Sequence, residues 1–173
     1  LSGLTLAAPA TAVVPLHGAV QSVAGGARIV VFRRHVVWPI VARFLAAHVP
    51  GALLGLGLVA WLVELSPRLL QALLALAILG TLAARPPGPG ATPAPSLRRF
   101  YLLGFVCGVL TVFVGSTGPL VTQGLLTQGV TKEPLVATKS VVQCASHALK
   151  VPLFGLALGF DFAAWALPLA VMA

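Results

Sequence analysis

Four polar residues interrupt an otherwise apolar stretch between Glu133 and Lys150: Lys139, Gln143, His147 and Lys150. They follow one another at intervals of four, four and three residues. At 3.6 residues per turn, that spacing puts them on one face of a helix whose remaining surface is largely Val, Ala and Leu. An ammonium group, an amide and an imidazole in one stripe suit a small anion. The lysine attracts it, the amide donates hydrogen bonds without adding charge, and an imidazole with an ordinary pKa of about 6.5 suits proton or ion coupling. Acid–base catalysis is not expected, because the three acids, Glu64, Glu133 and Asp161, are far apart in the chain and form no carboxylate pair. The cysteines, Cys107 and Cys144, follow no metal or redox spacing. Neither an enzyme nor a bound metal or cofactor is expected.

The stripe occurs twice. Sliding the chain on itself by 122 residues places His17 on Lys139, Gln21 on Gln143, Ser22 on Cys144 and Arg28 on Lys150. In each copy a cationic or titratable residue is followed four positions later by Gln and eleven later by a cation, which fits one helix face. The first copy runs into Arg33, Arg34 and His35, whereas residues 155–161 after the second hold no cation and one acid, Asp161. This asymmetry predicts copies of opposite orientation, and it requires the region from Phe100 to Gln128 to cross the membrane an even number of times or to fold as a pair.

The elements that must position these residues are membrane helices. Of 173 residues, 58% are hydrophobic and only 8% charged, and the mean hydropathy is +1.02. A soluble domain carries roughly a quarter charged residues. Eleven Lys and Arg face three acids, giving a net charge of +8. Most cations therefore have lipid headgroups, water or an anionic solute as their counter-charge. They sit beside apolar runs rather than on a solvated face, so nucleic acid is not an expected partner.

Along the chain, Leu1 to Val14 reads as the tail of a first membrane segment, broken by Gly3, Pro9 and Pro15, and Leu16 to Phe32 as a second. Val36 to Val63 follows, with an interfacial entry at Trp38, Pro39 and Arg43 and small residues Gly51, Gly55 and Ala60 suited to close helix contact. After a polar turn from Glu64 to Arg68, Leu69 to Ala84 returns across the bilayer. Residues 85–98, rich in Pro and Gly, form a linker between a first membrane repeat, 1–84, and a second, 99–173. Phe100 to Val114 is apolar and runs into Gly115-Ser-Thr-Gly-Pro119, and Leu120 to Leu126 resumes the apolar character. Backbone freed by a break at membrane depth must be buried in protein or line a wet cavity. Leu135 to Leu158 is the stripe-bearing helix, and a final segment from Phe162 is too short to span. The chain is therefore expected to be part of a somewhat longer protein. Arginines cluster in 28–43 and 85–99, so both connections are expected on the cytoplasmic side of the cell membrane.

The run Pro15-Leu-His-Gly-Ala-Val-Gln21 with Arg28 and Arg33-Arg34-His35-Val-Val-Trp38, then Gly108 and Gly115-Ser-Thr-Gly-Pro119, then Glu133, Ala137-Thr-Lys139, Gln143, His147 and Lys150, resembles the TauE/SafE sulfite exporters, also called toluene-sulfonate uptake permeases. The resemblance covers nearly the whole chain. It implies two related halves, seven or eight membrane helices, and transport of sulfite, sulfonates or related carboxylates. The glycine-rich first motif survives only in part, at Ser2-Gly3-Leu4, and the last helices are missing.

Together these features predict an all-α polytopic transmembrane bundle of two inverted, pseudo-repeated halves, acting as a secondary transporter of a small anion. Its substrate site is expected where both stripes meet the break: His17, Gln21, Gly115, Ser116, Thr117, Gly118, Thr138, Lys139 and Gln143, with His147, Arg28 and Lys150 in secondary or coupling roles. Ordinary alternatives exist. Lys139 could snorkel to the interface near Lys132 and Glu133, Gln21 and Gln143 could glue helices together, and Arg28 and Lys150 fit headgroup anchors. A lysine at the bilayer centre costs roughly 2.5 to 3.5 kcal/mol on insertion scales, so a deep Lys139 needs a use. Two other functional classes compete, a membrane thiol-disulfide carrier using Cys107 and Cys144 and a non-transporting accessory subunit.

Overall fold

The computed structural model describes residues 10–66, 96–113 and 117–158, together with Leu69, Ala72, Leu76, Leu79 and Gly80. These residues are helical or lie in turns, with no strand among them. Five helices are defined: α1 (Ala10–Phe32), α2 (Trp38–Leu65), α3 (Arg99–Phe113), α4 (Gly118–Leu126) and α5 (Lys132–Leu158), with a 3-10 turn at Arg33–His35 between α1 and α2. The expected span from Leu69 to Ala84 falls largely outside the described residues, as do the linker up to Pro95 and the last segment from Phe162.

Among the described residues one helix, at Trp38–Leu62, is long and apolar enough to cross a membrane, and α3 is a shorter apolar helix. α2 opens with Pro39 in its first turn, where the missing N–H costs no intrahelical bond, and it continues through Pro50. Val49, Leu53, Leu54, Leu58 and Trp61 are exposed on it while Gly51, Ala52, Gly55 and Leu62 are buried. An apolar surface of that size suits lipid rather than water. α1 begins earlier than the sequence suggests. Pro15 does not break it; the helix runs from Ala10 and forgoes one backbone bond near its start.

Two helix pairs organise the bundle. α2 and α3 lie backbone to backbone: a Cβ on Gly104 or Gly108 of α3 would collide with the backbone at Phe44 and His48 of α2. Reciprocally, a Cβ on Gly51 or Gly55 of α2 would collide with the carbonyls of Phe105 and Val109 on α3. Each helix thus offers a Gly-x-x-x-Gly notch to the other, the close approach that drives association where lipid gives no hydrophobic force. Ala60, grouped with these glycines by sequence, is exposed. Contact positions rise together along both chains, so α2 and α3 run parallel.

α1 and α5 make the second pair. Gly18 meets Lys150, Gly25 meets Cys144, and the Cys144 thiol donates to the Ser22 carbonyl at 3.2 Å. Positions rise along one helix as they fall along the other, so this pair is antiparallel. Both α1 and α2, which precede the linker, therefore pair with helices that follow it.

α3 and α4 fold back on each other, since the Arg99 guanidinium, at the start of α3, donates from Nη2 to the Gly124 carbonyl near the end of α4, at 2.8 Å. α4 then stops in a Schellman motif. Gly129, at φ 76°, donates to Leu126 O, and Val130 donates to Leu125 O. Ile40, Val41 and Phe44 of α2, Phe100 and Cys107 of α3, Val121 and Leu125 of α4 and Val142 of α5 share one core.

Replacing Gly104 or Gly108 by Ala is expected to destabilise the protein by about 1–3 kcal/mol, the usual range for overpacking, because backbone rather than a mobile side chain stands in the way. Gly57→Ala, with nothing within 4 Å of the added carbon, should be neutral. Thermal unfolding in detergent compares the three.

Candidate functional site

α5 starts at Lys132, whose φ of 53° turns the chain into the helix, with Glu133 in the first turn. Its entry is held from outside: Thr138, fully buried, accepts a hydrogen bond at its Oγ1 from the Val37 N–H at 3.0 Å, just before α2. One turn of α5 is thereby tied to the start of α2. Lys139 and Gln143 follow, both partly buried.

These two side chains line a cavity of about 400 Å³ whose opposite wall is the start and one face of α4: Gly118, Pro119, Thr122, Gln123 and Leu126. Thr117 precedes α4, is nearly buried, and places its hydroxyl against the Cys107 thiol while its carbonyl accepts from Val121 N–H. Gly118 and Pro119, at the end of the expected break, therefore share a chamber with Lys139 and Gln143 of the α5 stripe. The Thr122 hydroxyl donates back to the Gly118 carbonyl at 2.8 Å. Arg28, exposed near the end of α1, lies close enough to Lys139 for their like charges to repel. An anion entering here would relieve that repulsion while meeting amide donors and the positive end of α4.

The predicted residues divide as follows. Gly118, Lys139 and Gln143 are brought together, with Thr117 behind them. Thr138 is adjacent in sequence, but its hydroxyl oxygen is occupied by Val37. Gln21 is half-buried on α1 and is not among the described lining residues. His17 belongs to α1, though its side chain lies outside the described set, as do Gly115 and Ser116. His147 is buried. Lys150 is not a headgroup anchor: it is fully buried, its chain packed against Gly18 of α1, because the pairing of α1 with α5 covers it. Arg28 is exposed on α1, its Nε donating to the Ala24 carbonyl.

Two residues escaped the sequence reasoning. Gln123 sits in the run from Leu120 to Leu126, which looks apolar, yet it faces the cavity opposite Gln143. His48 lies within the apolar α2, fully buried, its ring 5.3 Å from that of Phe44 and in electrostatic range of Lys150. In each case a single polar residue inside a long apolar run was the available signal.

A comparison with protein families finds that the family described as Sulfite exporter TauE/SafE matches residues 1–173. The chain belongs to the TauE/SafE family. Members of TauE/SafE are membrane permeases that export sulfur anions, so this is a membrane transport protein. Neither a curated protein nor a solved structure matches it.

The register of α1 on α5 makes a cross-link expected. An added Cβ at Gly25 would lie 3.0 Å from the Cys144 Cβ, near the 3.5–4.5 Å typical of disulfides. Gly25→Cys should form a disulfide with Cys144 under mild oxidation, read as protection from alkylation by mass spectrometry.

Proposed function

We propose that this TauE/SafE chain is a secondary transporter that moves sulfite, an organosulfonate or a related small carboxylate through the chamber between α4 and α5. The observation that carries the proposal is the meeting of Lys139 and Gln143 with the Gly118–Pro119 start of α4 around one cavity. Lys139 supplies charge, Gln143 and Gln123 supply neutral donors, and the first turn of α4 adds backbone amides and its dipole. Neutral donors suit a carrier because they hold an oxyanion without the depth of a charge pair, so it can leave. Thr117 and Thr138 position the two walls. His17, Gln21, Gly115 and Ser116 belong to the proposed site as parts of the second stripe and the break.

The antiparallel pairing of α1 with α5 supports an inverted repeat. Ser22 and Cys144, equivalent under the 122-residue offset, touch at the crossing. Arg28 lies near Lys139 while its repeat partner Lys150 packs beside Gly18, next to His17. A two-fold relation between the helices predicts that pair of reciprocal contacts. In this proposal the α1–α5 pair rocks against the unit that α2, α3 and α4 form, opening the chamber between α4 and α5 alternately to each side. His147 and His17 are the candidates for proton coupling. The Arg-rich segments 28–43 and 85–99 face the cytoplasm of the cell membrane, against anionic headgroups.

The thiol-disulfide alternative has less support, because Cys107 is enclosed in the shared core and Cys144 bonds to the Ser22 carbonyl. Transport by a Cys107→Ser/Cys144→Ser variant at the wild-type rate is the expected result.

In proteoliposomes, Lys139→Ala and Gln143→Ala are each expected to cut sulfite flux at least tenfold with helical content unchanged, whereas Arg33→Gln, on the exposed turn, should leave it within twofold. Wild-type flux in both cavity variants would sink the proposed site. Sidedness has its own test: a cysteine placed at Arg34 in the cysteine-free background should react with an impermeant maleimide from the cytoplasmic face alone.

A further inference from the structure

α4 presents a second face to another cavity. Leu120, Gly124 and Thr127 lie on the side of the helix turned from Pro119, Thr122, Gln123 and Leu126, and with α3 they enclose about 290 Å³. The α3 wall is Leu102, Leu103 and Val106, with Arg99 at one end. Leu102 and Val106 are exposed at the rim, so in a membrane this groove opens toward lipid.

Arg99 differs from the other described arginines. Its Nη2 donates to the Gly124 carbonyl, its guanidinium carbon stands 5.4 Å from the centre of the Phe100 ring, and its Nε is buried without a hydrogen-bond partner. A buried guanidinium N–H left unmatched is unusual. Arg98, exposed, stands next to it at the end of the helix where interfacial arginines are expected. An apolar trough with a fixed guanidinium at one end and an exposed arginine beside it matches a molecule with an oxyanion at one end and a hydrocarbon chain at the other.

We propose that this groove binds an anionic phospholipid, one acyl chain lying along Leu102, Leu103, Val106 and Leu120 and the phosphate taken by Arg99 and Arg98. A small inorganic oxyanion would leave the apolar wall unused. A zwitterionic lipid would fill the trough but set its own cation against two arginines. Basic pockets between membrane helices hold anionic headgroups for this reason, and a planar guanidinium matches phosphate geometry. The site is independent of the Lys139 chamber, and the lipid would brace α4 from behind.

Native mass spectrometry of the full chain in mild detergent tests this, with phosphatidylglycerol and phosphatidylcholine of identical chains as probes and inorganic phosphate as competitor. The wild type should retain one phosphatidylglycerol at least tenfold more tightly than phosphatidylcholine. Arg99→Gln should erase that preference and Arg99→Lys should keep most of it, while Val106→Trp, a change at the exposed rim, should weaken both lipids by filling the trough. Equal retention of the two lipids by the wild type, or phosphatidylglycerol binding unchanged in both Arg99→Gln and Val106→Trp, would overturn the proposal. So would displacement by millimolar phosphate, which would make this a free-anion site, or a chain dimer lost on Val106→Trp, which would make it a protein interface.

Discussion

The contact on which the rest of the bundle depends is the one with the least side chain in it. α2 and α3 meet through glycine notches that place carbonyls of one helix where the other has no Cβ. Such a contact tolerates little sliding, since a shift would drive a larger neighbour into the backbone. It fixes the ends of two parallel helices at one level, and with them Trp38 and Arg99. Because Arg99 is bonded to Gly124, the position of α4 is set from the same contact, and so is the wall of the chamber opposite Lys139. A change buried far from any polar group can therefore reach the candidate site through α3.

A second constraint comes from charge. With eleven cations and three acids, most positive groups cannot find a carboxylate. The bundle handles them in different ways. Arg28 and Arg43 reach back to carbonyls of their own helices, Arg33 and Arg34 stay exposed, and Arg99 takes a carbonyl across a helix pair. Lys139 is left beside a cavity and near a like charge. That is an expensive place for a lysine unless an anion visits, since charge is held in low dielectric only with compensation. The proposed passage of a sulfur anion through the chamber gives the lysine a use.

The structure also recasts the division into halves. Sequence composition separates 1–84 from 99–173 at the proline-rich linker, but α1 packs on α5 and α2 on α3, so the halves interlock. Transmembrane helices gain stability by pairing wherever small residues allow close approach, without regard to order in the chain.

What the sequence determined by itself was local in origin. Hydropathy dictates membrane helices, the 3.6-residue period puts Lys139, Gln143 and His147 on one face, and Gly115 to Pro119 marks the break between α3 and α4. The resemblance to TauE/SafE was legible too, because its motifs lie in short ordered runs. Tertiary structure alone decided which stripe residues share a chamber and which are enclosed. Lys150 looked like a surface anchor from its place near a helix end, and only the packing of α1 over α5 buries it. Gln123 and His48 gave only a faint signal for the same reason: one polar residue in an apolar run carries no periodicity, and what it faces depends on a neighbour distant in the chain. Thr138 shows the limit most clearly, for it belongs to the substrate site expected from the sequence, yet its oxygen accepts from Val37, 101 positions away.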